Sequence, residues 1–154
     1  MAFYDGGQSD SDNKFNQPIA VTLNGDTTTP ATMAFVLDEK NKNIHQVNLI
    51  DGTDAGDPLP FSDIASGINL ILPRDLVYDA SNDRLLVTDR GINSLVAIPL
   101  DGTTPRSILS GPVTPDIETP FLAVQNITLN ADNTKAYLSD PGRAAMIEVD
   151  LTDG

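Results

Sequence analysis

The sequence has 154 residues, a length typical of one domain, and folding a chain of this size buries roughly 70% of its unfolded surface. It contains no cysteine, which excludes disulfides, thiol catalysis and cysteine-ligated zinc. With 9 basic and 22 acidic residues the formal charge is −13, which repels nucleic-acid phosphates and anionic lipid surfaces. We therefore expect no nucleic-acid partner and no membrane insertion.

The N-terminal segment MAFYDGGQSD has neither the basic region nor the long apolar region of an export signal. No run approaches the ~18 apolar residues of a membrane span. The acidic composition suits a salty or extracellular setting. We interpret the chain as a secreted or cell-envelope protein of bacterial type.

One sequence pattern occurs three times, about 51 residues apart, which places the chain among repeat proteins. The copies are MAFVLDEKNKNIHQVNLIDGT from Met33, RLLVTDRGINSLVAIPLDGT from Arg84 and KAYLSDPGRAAMIEVDLTDG from Lys135. An aspartate closes the first apolar run of each copy, at Asp38, Asp89 and Asp140.

Each copy predicts three consecutive strands. The first strand is a short run of β-prone residues, at Val21 to Leu23, Leu76 to Tyr78 and Ile127 to Leu129. The second is a similar run, at Phe35 to Leu37, Leu86 to Thr88 and Tyr137 to Leu138. The third has apolar residues with a period of two, at His45/Val47/Leu49, Val96/Ile98/Leu100 and Ile147/Val149/Leu151. Asp-Gly turns follow, at Asp51-Gly52, Asp101-Gly102 and Asp153-Gly154, where glycine supplies a positive φ.

A fourth strand follows in two copies, at Asp63 to Gly67 and at Ser107 to Gly111. The third copy stops at Gly154, but residues 2–6 resemble a fourth strand at the other end of the chain. The predicted blades are therefore 18–67, 73–111 and 124–154, with the last completed by strand 2–6.

Repeated units of four antiparallel strands predict an all-β fold of the β-propeller type, with three four-stranded blades. Closed propellers have about four to eight blades, so three blades are half of a six-bladed ring. The predicted partner is either a second copy of the chain, which forms a homodimer, or the missing half of a larger propeller.

The segments Pro73 to Asp79, Arg84 to Asp89 and Leu95 to Gly102 together resemble one repeat of the NHL and YWTD six-bladed, TolB-like propellers. The resemblance covers nearly the whole chain. It implies the fold but no single activity, because these propellers include hydrolases, lyases and binding modules alike. The tryptophan of the YWTD motif is replaced by Val87. Residues Asn126 to Asp132 are more distantly similar to gluconolactonase and paraoxonase propellers, whose calcium-binding Asn-Gly step falls on Gln125-Asn126.

First strands line the channel of a propeller, so the residues that enter them are the candidate ligand-binding residues: Arg74, Asp75, Gln125 and Asn126. Their counterparts in the first copy are Ile19 and Ala20. These polar side chains bind a small ligand or are hydrated lining of the channel. Asp75 and Asn126 are the candidate metal ligands, although calcium requires six to eight oxygens.

Other candidate residues favour structural roles. An aspartate that recurs in every blade is expected to accept backbone N–H groups in the turn after the second strand. The only histidine, His45, lies on the apolar stripe and is expected to be a packed strand residue. Asp10 to Asn13 lacks the glycine and glutamate of a calcium loop and is interpreted as a connector.

We therefore predict a non-catalytic binding or scaffold propeller with no catalytic residues and no cofactor. The alternative is a calcium-dependent, lactonase-like hydrolase with its site in the central channel. In that case Asp75, Gln125 and Asn126 would supply oxygen ligands.

Overall fold

The computed structural model describes residues 15–25, 28–62, 69–101, 106–110 and 121–152. Within these ranges the chain forms eleven β-strands in three antiparallel sheets and no helix. Accordingly, the described residues include no helix with the length and apolar character needed to cross a membrane. The predicted all-β fold is confirmed.

We call the three sheets blades 1, 2 and 3, in chain order. Blade 1 has four strands: β1 (Pro18–Leu23), β2 (Met33–Asp38), β3 (Asn43–Asn48) and β4 (Leu59–Pro60). Blade 2 also has four: β5 (Pro73–Asp79), β6 (Arg84–Asp89), β7 (Ser94–Pro99) and β8 (Arg106–Ser110). Blade 3 has three within the described residues: β9 (Ile127–Leu129), β10 (Lys135–Asp140) and β11 (Ala145–Asp150). Strands adjacent in sequence pair with each other in every blade.

The first three strands of each copy lie where the sequence predicts them, and β9 matches its prediction residue for residue. Strand β8 overlaps the predicted fourth strand Ser107 to Gly111. In blade 1 the observed fourth strand is β4, whereas the predicted one, Asp63 to Gly67, lies outside the described residues. The predicted N-terminal strand 2–6 and the Asp10 to Asn13 connector also lie outside them.

The register shows that positions 51 residues apart are structurally equivalent. Equivalent pairs in the second hairpin are Phe35 with Gln46, Leu86 with Ala97, and Tyr137 with Glu148. Because side chains alternate across a strand, each blade has two distinct faces. We call the face that contains these pairs the front face, and the opposite one the rear face.

The blades pack front face against rear face, and this packing forms the core. The front face of blade 1 supplies Phe35, Leu37 and Ile44, which pack against Leu76, Leu85, Val87, Val96 and Ile98 of blade 2. The front face of blade 2 supplies Leu86, Leu95 and Ala97, which pack against Ile127, Ala136, Leu138 and Val149 of blade 3. Each large side chain buried in this way contributes about 1.5–3 kcal/mol. The first strands β1, β5 and β9 consequently lie side by side.

The hairpin between the second and third strands has a left-handed residue at the same position in every blade. These residues are Lys42, Asn93 and Ala144, with φ of 58°, 48° and 52°. A left-handed conformation costs a residue with a Cβ atom about 1–2 kcal/mol, and asparagine tolerates it better than alanine. Ala144 therefore holds backbone strain that no polar side chain offsets.

Replacing Ala144 with glycine should raise the free energy of unfolding by about 0.5–1 kcal/mol, because glycine adopts a positive φ without steric cost. Ala145→Gly is the matched control, since Ala145 begins strand β11 and glycine there should destabilise by about the same amount. Urea unfolding at 25 °C measures both changes. A destabilised Ala144→Gly variant would contradict the assignment of strain.

Candidate functional site

The strand-end aspartates Asp38, Asp89 and Asp140 are completely buried and hydrogen-bonded to backbone N–H groups. Asp89 accepts N–H bonds from Ile71 at 2.7 Å and Leu72 at 3.0 Å, which precede strand β5. It also accepts one from Gly91 at 2.7 Å, in the turn that follows β6. A single carboxylate thus ties the start of a blade to its second strand and its second turn.

The other two blades repeat this arrangement. Asp140 accepts N–H bonds from Leu122 at 2.7 Å and Ala123 at 3.0 Å, and Asp38 from Asn16 at 2.6 Å and Gln17 at 3.1 Å. The turn bonds are those that the sequence predicts, whereas the bonds to the segment before the first strand are not predictable from it. Burial alone would raise the pKa of Asp38, but these N–H donors hold it below its usual value of 3.8.

His45 is fully buried on the rear face of blade 1, where the equivalent residues are Val96 and Ile147. Its Nε2 lies 3.7 Å from Asp38 Oδ2, and the ring of Phe15 meets it edge-on at 4.9 Å. Its Nδ1 has no hydrogen-bond partner among the described residues. Burial lowers the pKa of His45, and the nearby carboxylates of Asp38 and Asp54 oppose that shift only in part. The surroundings suit a packed neutral imidazole.

Three of the four predicted ligand-binding residues meet at the junction of blades 2 and 3. Asp75 Oδ2 accepts the backbone N–H of Ile127 at 3.1 Å and the amide of Asn126 at 3.4 Å, and its Oδ1 accepts the N–H of Leu76 at 2.9 Å. The hydroxyl of Thr88 donates to the backbone carbonyl of Gln125. The polar groups at the ends of the first strands therefore connect neighbouring blades.

Arg74 is not part of this set. Its side chain is half-buried and makes no hydrogen bond or ion pair within the part of the chain that the structure describes. Two threonines that sequence reasoning missed, Thr22 and Thr88, make contacts between blades. Thr22 Oγ1 accepts the N–H of Tyr78 at 3.1 Å. Only an alignment of the three copies, which shows polar residues at the positions of Thr22 and Thr88 in blade 3, could have indicated these two threonines from sequence.

Two concave surfaces lie at opposite ends of the first strands. One, of about 270 Å³, lies between the first hairpins of the blades and is lined by Thr22, Val77, Tyr78, Asn130 and Asn133 among others. The other, of about 440 Å³, is a shallow depression on blade 3 next to Gln125, Ser139 and Met146. Among the described residues no three His, Asp or Glu side chains are grouped so that they could hold a metal ion.

Replacing Asp89 with alanine should lower the free energy of unfolding by about 3 kcal/mol, because each buried N–H that loses its acceptor costs about 1–3 kcal/mol. Asp57→Ala is the control, since Asp57 is exposed and should change stability by less than about 0.5 kcal/mol. Urea unfolding measures both variants. Equal stabilities would show that the aspartate bonds are dispensable.

His45 should make stability dependent on pH below neutrality. Its folded-state pKa lies below the ordinary value of 6.5, so the unfolded state binds the proton more tightly. Its contribution is fully present above about pH 6.5 and is lost as pH falls through the folded-state pKa. In His45→Val, with the residue of the equivalent position 96, the dependence on pH between 6.5 and 5 should largely disappear, as urea titrations at several pH values would show. An unchanged slope would assign the dependence to other groups.

Comparison with known proteins shows the fold. No model of a known protein family and no curated protein matches the sequence. Solved structures do match: Kuenenia stuttgartiensis hydrazine synthase, at 13% identity and a TM-score of 0.63, covers 99% of this chain. A structural genomics protein of unknown function from Bacteroides thetaiotaomicron gives 20% identity and 0.62 over 87%, and the nidogen/laminin complex 15% and 0.57 over 85%.

The chain spans only 37%, 33% and 42% of those three solved chains. At such identities the likeness concerns architecture alone. Together with the sheet topology and the front-to-rear packing, it shows that the chain consists of β-propeller blades.

Proposed function

We propose that the chain is a non-catalytic binding or scaffold propeller that functions within a closed ring of six blades. A second copy of the chain, or the missing half of a larger propeller, would supply the other three blades. In the proposed ring the N-terminal strand 2–6 completes the third blade. The high negative charge supports a secreted or cell-envelope location.

The observation that carries this proposal is the engagement of Asp75. Both of its carboxylate oxygens accept N–H bonds, and one of the donors, Ile127, belongs to the next blade. The strand-end aspartates are engaged in the same way with backbone groups inside their own blades. The carboxylates that catalysis or metal binding would need are thus used to hold blades in place.

The competing hypothesis is a calcium-dependent lactonase-like hydrolase with Asp75, Gln125 and Asn126 as ligands. Calcium requires six to eight oxygen ligands, and at Asp75 it would share a carboxylate whose Oδ2 already accepts the N–H of Ile127. The amide of Asn126 also points its nitrogen toward Asp75. These contacts favour the scaffold.

Asp75→Ala should lower the free energy of unfolding by about 1–2 kcal/mol, because the N–H of Ile127 loses its acceptor. Arg74→Ala is the neighbouring control and should change stability by less than about 0.5 kcal/mol. The change in unfolding free energy of each variant should be the same in EDTA and in millimolar calcium. The wild-type protein should not hydrolyse simple lactones.

Two results together would overturn the scaffold proposal. One is a calcium-dependent rise in the melting temperature of the wild-type protein that is absent from Asp75→Ala. The other is lactone hydrolysis that the same substitution abolishes. They would instead support the hydrolase.

A further inference from the structure

On the rear face of blade 1 only the first strand, β1, exposes aliphatic side chains, whereas Ala34, Val36 and Val47 of the second and third strands are buried there with Phe15 packed against them. Val21 is 62% exposed, whereas the equivalent residues Leu76 and Ile127 are 1% and 6% exposed. Leu23 is also exposed, at 49%. In blades 2 and 3 this face is covered by the front face of the preceding blade. Among the described residues, the β1 part of this rear face therefore has the apolar character of a junction that no other blade covers.

The front face of blade 3 is the complementary unoccupied surface. Met146 is 73% exposed, and the equivalent residue of blade 2, Leu95, is completely buried against blade 3. Lys135 and Glu148 of this face pair with each other, since Lys135 Nζ lies 2.6 Å from Glu148 Oε1. The exposed carboxylate of Asp150, opposite Lys135, leaves the face with one further negative charge. Met146 is its exposed apolar side chain.

Blade 3 also has the polar side chains that hold a following blade. At the two observed junctions, front-face side chains bond the backbone of the next first strand: Thr22 to Tyr78, Asp75 to Ile127 and Thr88 to Gln125. At the equivalent positions blade 3 has Thr128, Asn126 and Ser139. One blade thus combines all three polar positions, although no described strand lies against them. Ser139 and Asn126 meanwhile bond each other, since Ser139 Oγ accepts the N–H of Asn126 at 3.0 Å and donates to Asn126 Oδ1 at 3.4 Å.

We propose that the front face of blade 3 binds the first strand, β1, of a second copy of this chain. In this junction Thr128 accepts the N–H of the partner's Leu23, the position equivalent to Tyr78. Ser139 donates to the carbonyl of the partner's Ile19, and Asn126 bonds the N–H of the partner's Val21. Met146 is then covered by blade 1 of the partner.

A second copy is the occupant that the repeat itself favours. The chain contains both halves of the junction, and the same two faces meet twice within it. Two three-bladed chains joined by two such junctions make a closed ring of six blades, within the four to eight of known propellers. This inference rests on the proposed scaffold function, but it can fail while that proposal stands, because it concerns only the occupant of the junction.

The first experiment measures the mass of the 154-residue chain in solution by light scattering at micromolar concentration. A dimer of twice 16.4 kDa is expected. Met146→Glu should weaken the dimer on the order of a hundredfold, since it would bury an unpaired charge at each junction. Ile71→Glu is the matched control: Ile71 is 56% exposed on the central blade and should leave the dimer unchanged.

The second experiment maps the junction with engineered cysteine pairs. The chain has no cysteine of its own, so no native thiol can form a competing disulfide. Residues 75 and 126 touch at the junction between blades 2 and 3, and the equivalent pair between chains is 126 with 20. The double variant Ala20→Cys/Asn126→Cys should form a covalent dimer on a non-reducing gel, whereas either single variant should not. Asp75→Cys/Asn126→Cys should form a disulfide within one chain, and it is the positive control for cross-linking at this pair of equivalent positions.

A monomeric mass with cooperative unfolding would overturn the inference and leave open a larger propeller as the source of the other blades. A dimer that gives no cross-link from the 20/126 pair, while the 75/126 pair closes, would show that the copies meet through other faces. A dimer unaffected by Met146→Glu would do the same. None of these results bears on calcium binding or lactone hydrolysis, which test the scaffold proposal.

Discussion

The bonds from the strand-end aspartates to backbone N–H groups are the constraint on which the blades depend. Asp89 is buried and accepts N–H bonds from Ile71, Leu72 and Gly91, which fixes the entry to the first strand against the second. The segment before a first strand has no ladder of its own to satisfy these donors. The carboxylate accepts these N–H groups, and a buried donor without an acceptor would cost about 1–3 kcal/mol.

Because the segment before each first strand is held in place, the position of the first strand at the junction with the next blade is also determined. Side chains on one face of a first strand bond the next first strand, as Asp75 does with Ile127 and Thr22 with Tyr78. Apolar residues of the second and third strands then fill the space between the sheets. The molecule is thus held by the aspartate bonds within each blade and by mixed polar and apolar contacts between blades. Specific binding on such a structure is expected where the copies differ.

The strands could be predicted from sequence because period-two alternation and a 51-residue repeat are local signals. The bonds of Asp89 to Ile71 and Leu72 could not, since nothing local indicates which backbone groups approach a carboxylate 17 or 18 residues away. Asp75 and Asn126 can be recognised from sequence as polar residues at the entry to first strands, whereas their role in ligand binding stays a prediction. Their mutual contact depends on the angle between blades, which a repeat does not reveal. Arg74 directly precedes Asp75 in the chain but makes none of these contacts.

The aspartate bonds also define the natural unit of the repeat. Each set lies wholly inside one blade, from the segment before its first strand to the turn after its second. A cut or a join between the fourth strand of one blade and the entry segment of the next would leave every set intact. Circular permutants opened at such a position should keep their blades, and duplication of this unit would lengthen a propeller by whole blades without disturbing the existing ones.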